Sequence, residues 1–143
     1  MPSHNTIMIC QWTHPRIHHG CDYLYVHGLI HVYIHWYSNA LCLLFPSLYE
    51  GFGLPVLDAF SSNCPVACSN TSSLPEVGQD GAAYFQPNSI ESMRETIQRL
   101  LESEEWRTHL IERGRQRLAS FSWLRTAKET IDVYHAALRS GKI

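Results

Sequence analysis

Two short apolar runs bounded by proline constrain the fold of this chain more than any other feature. Leu41-Cys-Leu-Leu-Phe45 ends at Pro46, and Pro65-Val-Ala-Cys68 lies further on. Runs this short and this free of polar residues suit strands covered on both faces, as parallel strands are. The stretch from about Leu54 to Ser62 reads as a short helix between them. Ser69 to Asp80 reads as a polar loop, and Ala82 to Phe85 as a third short strand. Strands alternating with helices predict right-handed βαβ units, hence an α/β fold on an open parallel sheet. A chain of 143 residues has room for one such core and not for two full-sized domains.

Three helices are predicted to close the chain. Asn88 can cap the first, with Glu91 completing a capping box; Ile90, Met93, Ile97, Leu100 and Leu101 follow helical spacing. Ser103 can cap the second, which presents Trp106, Leu110, Ile111 and Leu118. Gly114 lies inside that helix, at a cost of about 1 kcal/mol relative to Ala. Ser122 can cap the third, with Leu124, Ala127, Ile131, Tyr134 and Leu138 on one face. Arg113, Arg115 and Arg117 read as a solvated, mixed-charge face.

Between the first two strands lies the stretch that carries chemistry. Open α/β sheets bind ligands beyond the carboxyl ends of their strands. There the sequence runs Glu50-Gly-Phe-Gly-Leu-Pro-Val-Leu-Asp58. Gly51 and Gly53 let a backbone approach a ligand with no Cβ in the way. A helix starting near Leu54 directs N–H groups and partial positive charge at the same place, which suits a diphosphate. Pro55 fits the first helical turn. Glu50 and Asp58 flank this backbone, and a carboxylate can accept two hydrogen bonds from a vicinal diol. The same residues also describe a tight turn before a helix, and spacing alone does not decide between the two.

The residues themselves go further. Tyr37-Ser-Asn-Ala-Leu-Cys-Leu-Leu-Phe-Pro-Ser-Leu-Tyr-Glu-Gly-Phe-Gly-Leu-Pro-Val-Leu-Asp58 resembles the donor-site signature of family-4 retaining glycosyltransferases, which adopt the GT-B fold. The resemblance continues through Cys64-Pro-Val-Ala-Cys-Ser-Asn-Thr-Ser-Ser-Leu-Pro-Glu76, Asp80-Gly-Ala-Ala83 and Phe121-Ser-Trp123, and spans about residues 37–138. It implies a retaining hexosyltransferase of glycan biosynthesis that uses a UDP- or GDP-sugar as substrate, with no cofactor or metal required. Glu50 would be the catalytic residue that contacts the donor sugar. Gly51, Phe52 and Gly53 would line that sugar, Leu54 and Val56 would meet the diphosphate through their N–H groups, and Asp58 would hold the ribose. Asp58 stands where the family has Glu, which shortens the reach by roughly 1.5 Å. Glu76 would brace the serine-rich loop. The resemblance implies a partial Rossmann-like parallel sheet, half of a GT-B C-terminal domain, with C-terminal helices, so the chain by itself is expected to be a fragment and inactive. The family's Arg and Lys, which neutralise the diphosphate, have no match here: Arg16 is the sole cation before Arg94. The acceptor would be a glycan, a lipid or a small molecule, and peripheral membrane contact is compatible with a longer parent.

Residues 1–36 are different. Seven of the nine histidines fall there, with only Arg16 and Asp22 charged. A cut near residue 36 predicts an atypical His-rich segment (1–36), strand-forming or poorly ordered, before a partial nucleotide-sugar-binding domain (37–143). A shifted or mis-assembled reading frame would produce such a break, and so would evolution of a fragment. His31-Val-Tyr-Ile-His-Trp36 alternates with period two and reads as a strand. His27, His31 and His35, with His18, His19 and Cys21, suggest a rival metal-binding module. On a strand, however, residues four apart lie about 13 Å from one another, too far to share one ion. A second rival is a catalytically inactive nucleotide-binding or interaction domain. Five cysteines without tight spacing read as reduced thiols. Cys64 and Cys68 read as core residues. Asn70-Thr-Ser72 fits a glycosylation acceptor pattern but reads as loop capping. A net charge of −2 argues against a nucleic-acid binder. No apolar run is long enough for a membrane helix, and no secretory leader opens the sequence. A cytoplasmic protein is the expectation.

Overall fold

The computed structural model describes residues 7–9 and 30–140, with side chains from His35 onward. Strands β1 (Ile7–Ile9), β2 (Cys42–Phe45), β3 (Val66–Ser69) and β4 (Ala82–Phe85) form one sheet in the order β1-β2-β3-β4. All three pairings are parallel, with Leu43 opposite Val66 and Ala67 opposite Ala83. The α/β reading and the three expected strands stand, and β1 adds an edge that local patterning did not reveal.

Both faces of the sheet are covered, and period-two alternation sorts the strand residues between them. Leu43, Phe45, Val66, Cys68 and Ala82 face one core. Tyr37 of α1 (Ile30–Asn39), Val56, Ala59 and Phe60 of α2 (Leu54–Ser61), and Leu74 and Val77 of α3 (Leu74–Gly78) complete it. Cys42, Leu44, Ala67, Ala83 and Phe85 face the other core. Leu100 of α4 (Ile90–Glu102) and Leu110 of α5 (Glu104–Leu118) close that side, with Met93, Ile97 and Trp106 at its margin. Helix α5 serves both cores, since Leu118 packs against the first. The structure thus explains why the strand segments are unbroken apolar runs.

Residues 31–36 depart from expectation. The predicted strand is the middle of helix α1. Parallel strands need a crossover connection, and α1 lies in the one between β1 and β2. Tyr37 is buried, while His35 and Trp36 are exposed. Packing of one aromatic into the core outranks a β-branched, period-two sequence, because β preference reflects context more than backbone. The strand spacing used against a metal site therefore does not apply to His31 and His35, which sit one helical turn apart. Among the described residues, no group of three or more His, Cys, Asp or Glu side chains is arranged to hold a metal ion. His18, His19, Cys21 and His27 lie outside the described residues.

The polar loop expected at 69–80 contains α3 and a 3₁₀ turn at Gln79–Gly81. Pro75 stands in the first turn of α3, and Leu74 and Val77 bury one side of it. Ser89, not Asn88, caps α4 by accepting the Ser92 N–H at 3.2 Å. Ser103 and Ser122 cap α5 and α6 (Trp123–Arg139) as expected.

Gly114 is a packing requirement. An added Cβ would lie 2.6 Å from Phe60 Cδ1, so only glycine lets α5 approach α2 this closely. The three arginines expected on a solvated face instead tie α5 down. Arg113 pairs with Asp80, Arg115 Nε donates to Asn63 Oδ1 at 2.6 Å, and Arg117 donates to the carbonyls of Glu76 and Val77 at 2.9 Å. Helix α6 keeps the expected amphipathic pattern, yet Leu124, Ile131, Tyr134 and Leu138 are all exposed.

Candidate functional site

The loop from Pro46 to Gly53 leaves the carboxyl end of β2 and turns into α2. Gly53 makes that turn: its φ of 103° lies in the left-handed region, and a Cβ there would meet Leu74 Cδ2 at 2.8 Å. Its glycine is demanded by the fold. Gly51 has nothing within 4 Å of an added Cβ, so its bare face opens outward.

The first turn of α2 offers less than the sequence suggests. Pro55 has no N–H, and the Val56 N–H donates to Gly53 O at 3.0 Å while the Val56 side chain is buried. Val56 anchors the helix. Leu54 keeps an N–H with no acceptor among the described residues.

The two acids differ in setting. Glu50 is half-buried, and its Oε1 is buried with no hydrogen-bond partner among the described residues. Leaving such an oxygen unpaired costs about 1–3 kcal/mol, more when it is charged. Asp58 is on the exposed side of α2, and its carboxylate makes no hydrogen bond or ion pair among the described residues. Neighbouring protein still removes part of its water, which pushes its carboxyl above the ordinary range.

Sequence reasoning missed the scaffold behind this loop. The Glu50 N–H donates to Ser72 Oγ at 2.9 Å, and Thr71 Oγ1 donates to Leu48 O at 3.3 Å. Ser73 Oγ donates to Glu50 O at 3.0 Å and to Phe52 O at 2.9 Å. The bracing expected of Glu76 is done by these hydroxyls; the Glu76 side chain is exposed and only its carbonyl is engaged, by Arg117. The serine-rich run after β3 is the available signal, but its reading as loop capping does not say which distant backbone the hydroxyls meet. Phe52 meets Phe121 edge to face at 5.9 Å, and the Arg117 guanidinium sits 4.5 Å over the Phe121 ring. This links the site loop to the chain after α5. Tyr49 and Leu48 project into solvent beside it, 80% and 64% exposed.

The three buried thiols take no part. Burial pushes Cys42 up to about 11 and Cys64 and Cys68 up to about 12. Among the described residues, no helix is long and apolar enough to cross a membrane.

A parallel half-sheet, a glycine-hinged loop at the end of β2 and a helix start between two acids define a class. Residues 27–117 match the family described as "Glycosyl transferases group 1", and the chain belongs to it. The match starts ahead of Tyr37, so part of the His-rich segment is family-like; it includes α1. The chain is 40% identical to O-antigen chain mannosyltransferase B of Escherichia coli over 68% of its length and 26% of that protein's. It is 39% identical to MMP alpha-(1->4)-mannosyltransferase of Mycolicibacterium hassiacum over 71% of its length and 26% of that protein's. It thus spans about a quarter of the length of these relatives. Sucrose-phosphate synthase from Thermosynechococcus elongatus superposes with a TM-score of 0.66 at 28% identity, over 73% of this chain and 27% of that one. The architecture is that of a GT-B glycosyltransferase.

Proposed function

We propose that this chain forms the donor side of a retaining glycosyltransferase and binds a nucleotide-activated hexose. The carrying observation is Glu50: a buried carboxylate oxygen with no partner among the described residues is suited to accept hydrogen bonds from ligand hydroxyls. In this reading Glu50 contacts and orients the donor sugar, and Gly51, Phe52 and Gly53 line it. The Leu54 N–H and the start of α2 meet the diphosphate and offset its charge as it leaves, with Val56 supporting the turn by packing. Asp58 accepts the ribose hydroxyls.

The mannosyltransferase relatives favour a mannosyl donor and a glycan acceptor. Transfer needs an acceptor surface facing the donor, and the described residues supply the donor side. The isolated chain is therefore expected to bind weakly and not to transfer. Calorimetric titration with GDP-mannose and UDP-glucose tests the reading. Saturable binding of one of them, lost in Glu50→Gln, supports it; no binding of either overturns it. Binding with no transfer in the full-length context would favour the inactive nucleotide-binding domain.

A further inference from the structure

The serine that starts α3 does not behave like the other helix-starting serines. Ser89, Ser103 and Ser122 each accept the N–H three residues on, from Ser92, Trp106 and Arg125. Ser73 precedes α3 but caps nothing with its side chain. Its hydroxyl instead crosses to the loop after β2 and is shared by the carbonyls of Glu50 and Phe52. With one proton to donate, the hydroxyl makes a shared bond that draws both carbonyl oxygens to the same point.

Its neighbour acts from the same side. Ser72 takes a left-handed backbone at φ 50°, unusual for a residue with a side chain, and its Oγ accepts the Glu50 N–H. Both the N–H and the carbonyl of Glu50 are thereby fixed by hydroxyls from a loop more than twenty residues away. The Glu50 side chain itself has a buried Oε1 without a partner among the described residues. Backbone held at both ends with the carboxylate left unsatisfied is the arrangement expected of a preorganised ligand-binding residue.

We propose that Ser73 is a positioning residue for the sugar end of the donor site. It fixes Glu50 and Phe52 so that the carboxylate meets the hexose of a nucleotide-sugar. The inference rests on the donor-binding reading above. It separates the two ends of the ligand: Ser73 governs the sugar, and Asp58 governs the nucleoside.

The test compares GDP with GDP-mannose, and UDP with UDP-glucose, by calorimetry on the full chain. Wild type should bind one nucleotide-sugar more tightly than its bare nucleotide. Ser73→Ala should reduce that sugar increment by roughly three- to tenfold, the worth of one neutral hydrogen bond, and leave the bare nucleotide unchanged. Ser73→Thr, which keeps a hydroxyl, should restore it. Asp58→Ala should weaken nucleotide and nucleotide-sugar alike. If Ser73→Ala does not fold, Ser72→Ala, which removes the acceptor for the Glu50 N–H, should give the same selective loss. A merely structural serine would weaken both ligands equally, and that result overturns the proposal. So does an unchanged sugar increment in Ser73→Ala alongside its loss in Glu50→Gln. Wild type binding no nucleotide, or showing no sugar increment, overturns the donor reading and this inference with it.

Discussion

Replacing Gly53 by Ala tests how the site loop is held. The φ of 103° places an alanine in strained backbone, which costs about 1–3 kcal/mol. The new Cβ also meets Leu74 Cδ2 at 2.8 Å, so the end of that fully buried side chain must shift within the core. Overpacking of this kind costs about 1–3 kcal/mol. Reduced freedom of the unfolded chain returns about 0.4–1 kcal/mol. The net loss is about 1–6 kcal/mol, which for a chain of 143 residues lowers Tm by roughly 3–20 °C. Gly51→Ala is the internal control: nothing lies within 4 Å of its Cβ, so its stability should change by no more than about 0.5 kcal/mol. Its donor affinity should fall nonetheless, because the added methyl occupies the open face assigned to the sugar. Thermal melts followed by circular dichroism read the first effect, and calorimetry reads the second. A Gly53→Ala chain that melts within a degree of wild type would refute the reasoning. So would a Gly51→Ala chain that melts as low as Gly53→Ala.

Three further outcomes are expected. Burial raises the Asp58 carboxyl above its ordinary 3.8, so the folded state holds its proton longer than the unfolded state does. The contribution of Asp58 to stability then falls as pH rises from 3.8 through the folded value; Asp58→Asn should match wild type at pH near 3 and exceed it at pH near 7, and a difference that does not change with pH contradicts this. Cys42, Cys64 and Cys68, at about 11, 12 and 12, should resist iodoacetamide at pH near 8 in the folded chain and react in guanidinium, as read by peptide mass spectrometry. Ser89→Ala should cost about 1 kcal/mol in a chemical melt, whereas Asn88→Ala should cost less than about half of that.

The sheet was legible because β2, β3 and β4 are buried on both faces, and such strands write themselves as plain apolar runs. Leu43 and Leu44 serve opposite cores, and both had to be apolar. Helix α1 was not legible. Its residues 31–36 alternate like a strand, and the burial of Tyr37 and the parallel crossover from β1, both long-range constraints, favour the helix. The cap of α4 was misread by one residue because Asn88 and Ser89 are both competent caps and backbone geometry chooses between them. Gly114 looked like a weakness, since the Phe60 ring it admits comes from a distant helix. The arginines of α5 looked solvated for the same reason: Asp80, Asn63, Glu76 and Val77 approach them only in the fold. At the site, the roles of Glu50 and Asp58 came from the resemblance and not from spacing, whereas the turn into α2 was legible from the glycines and Pro55 after a strand. The commitment of the Val56 N–H to Gly53, and the hydroxyl scaffold of Thr71, Ser72 and Ser73, were not, because a hydrogen bond between two loops leaves no periodic trace.

The central claim is that the segment from Glu50 to Asp58 receives a nucleotide-sugar. An NMR titration of the isotope-labelled chain with UDP, GDP and their sugar conjugates measures this directly, repeated on Glu50→Gln and Asp58→Ala. The account predicts saturable shifts of the amides from Gly51 to Leu57, excluding Pro55, weakened by either substitution. A folded spectrum whose amides respond to none of these ligands would contradict it.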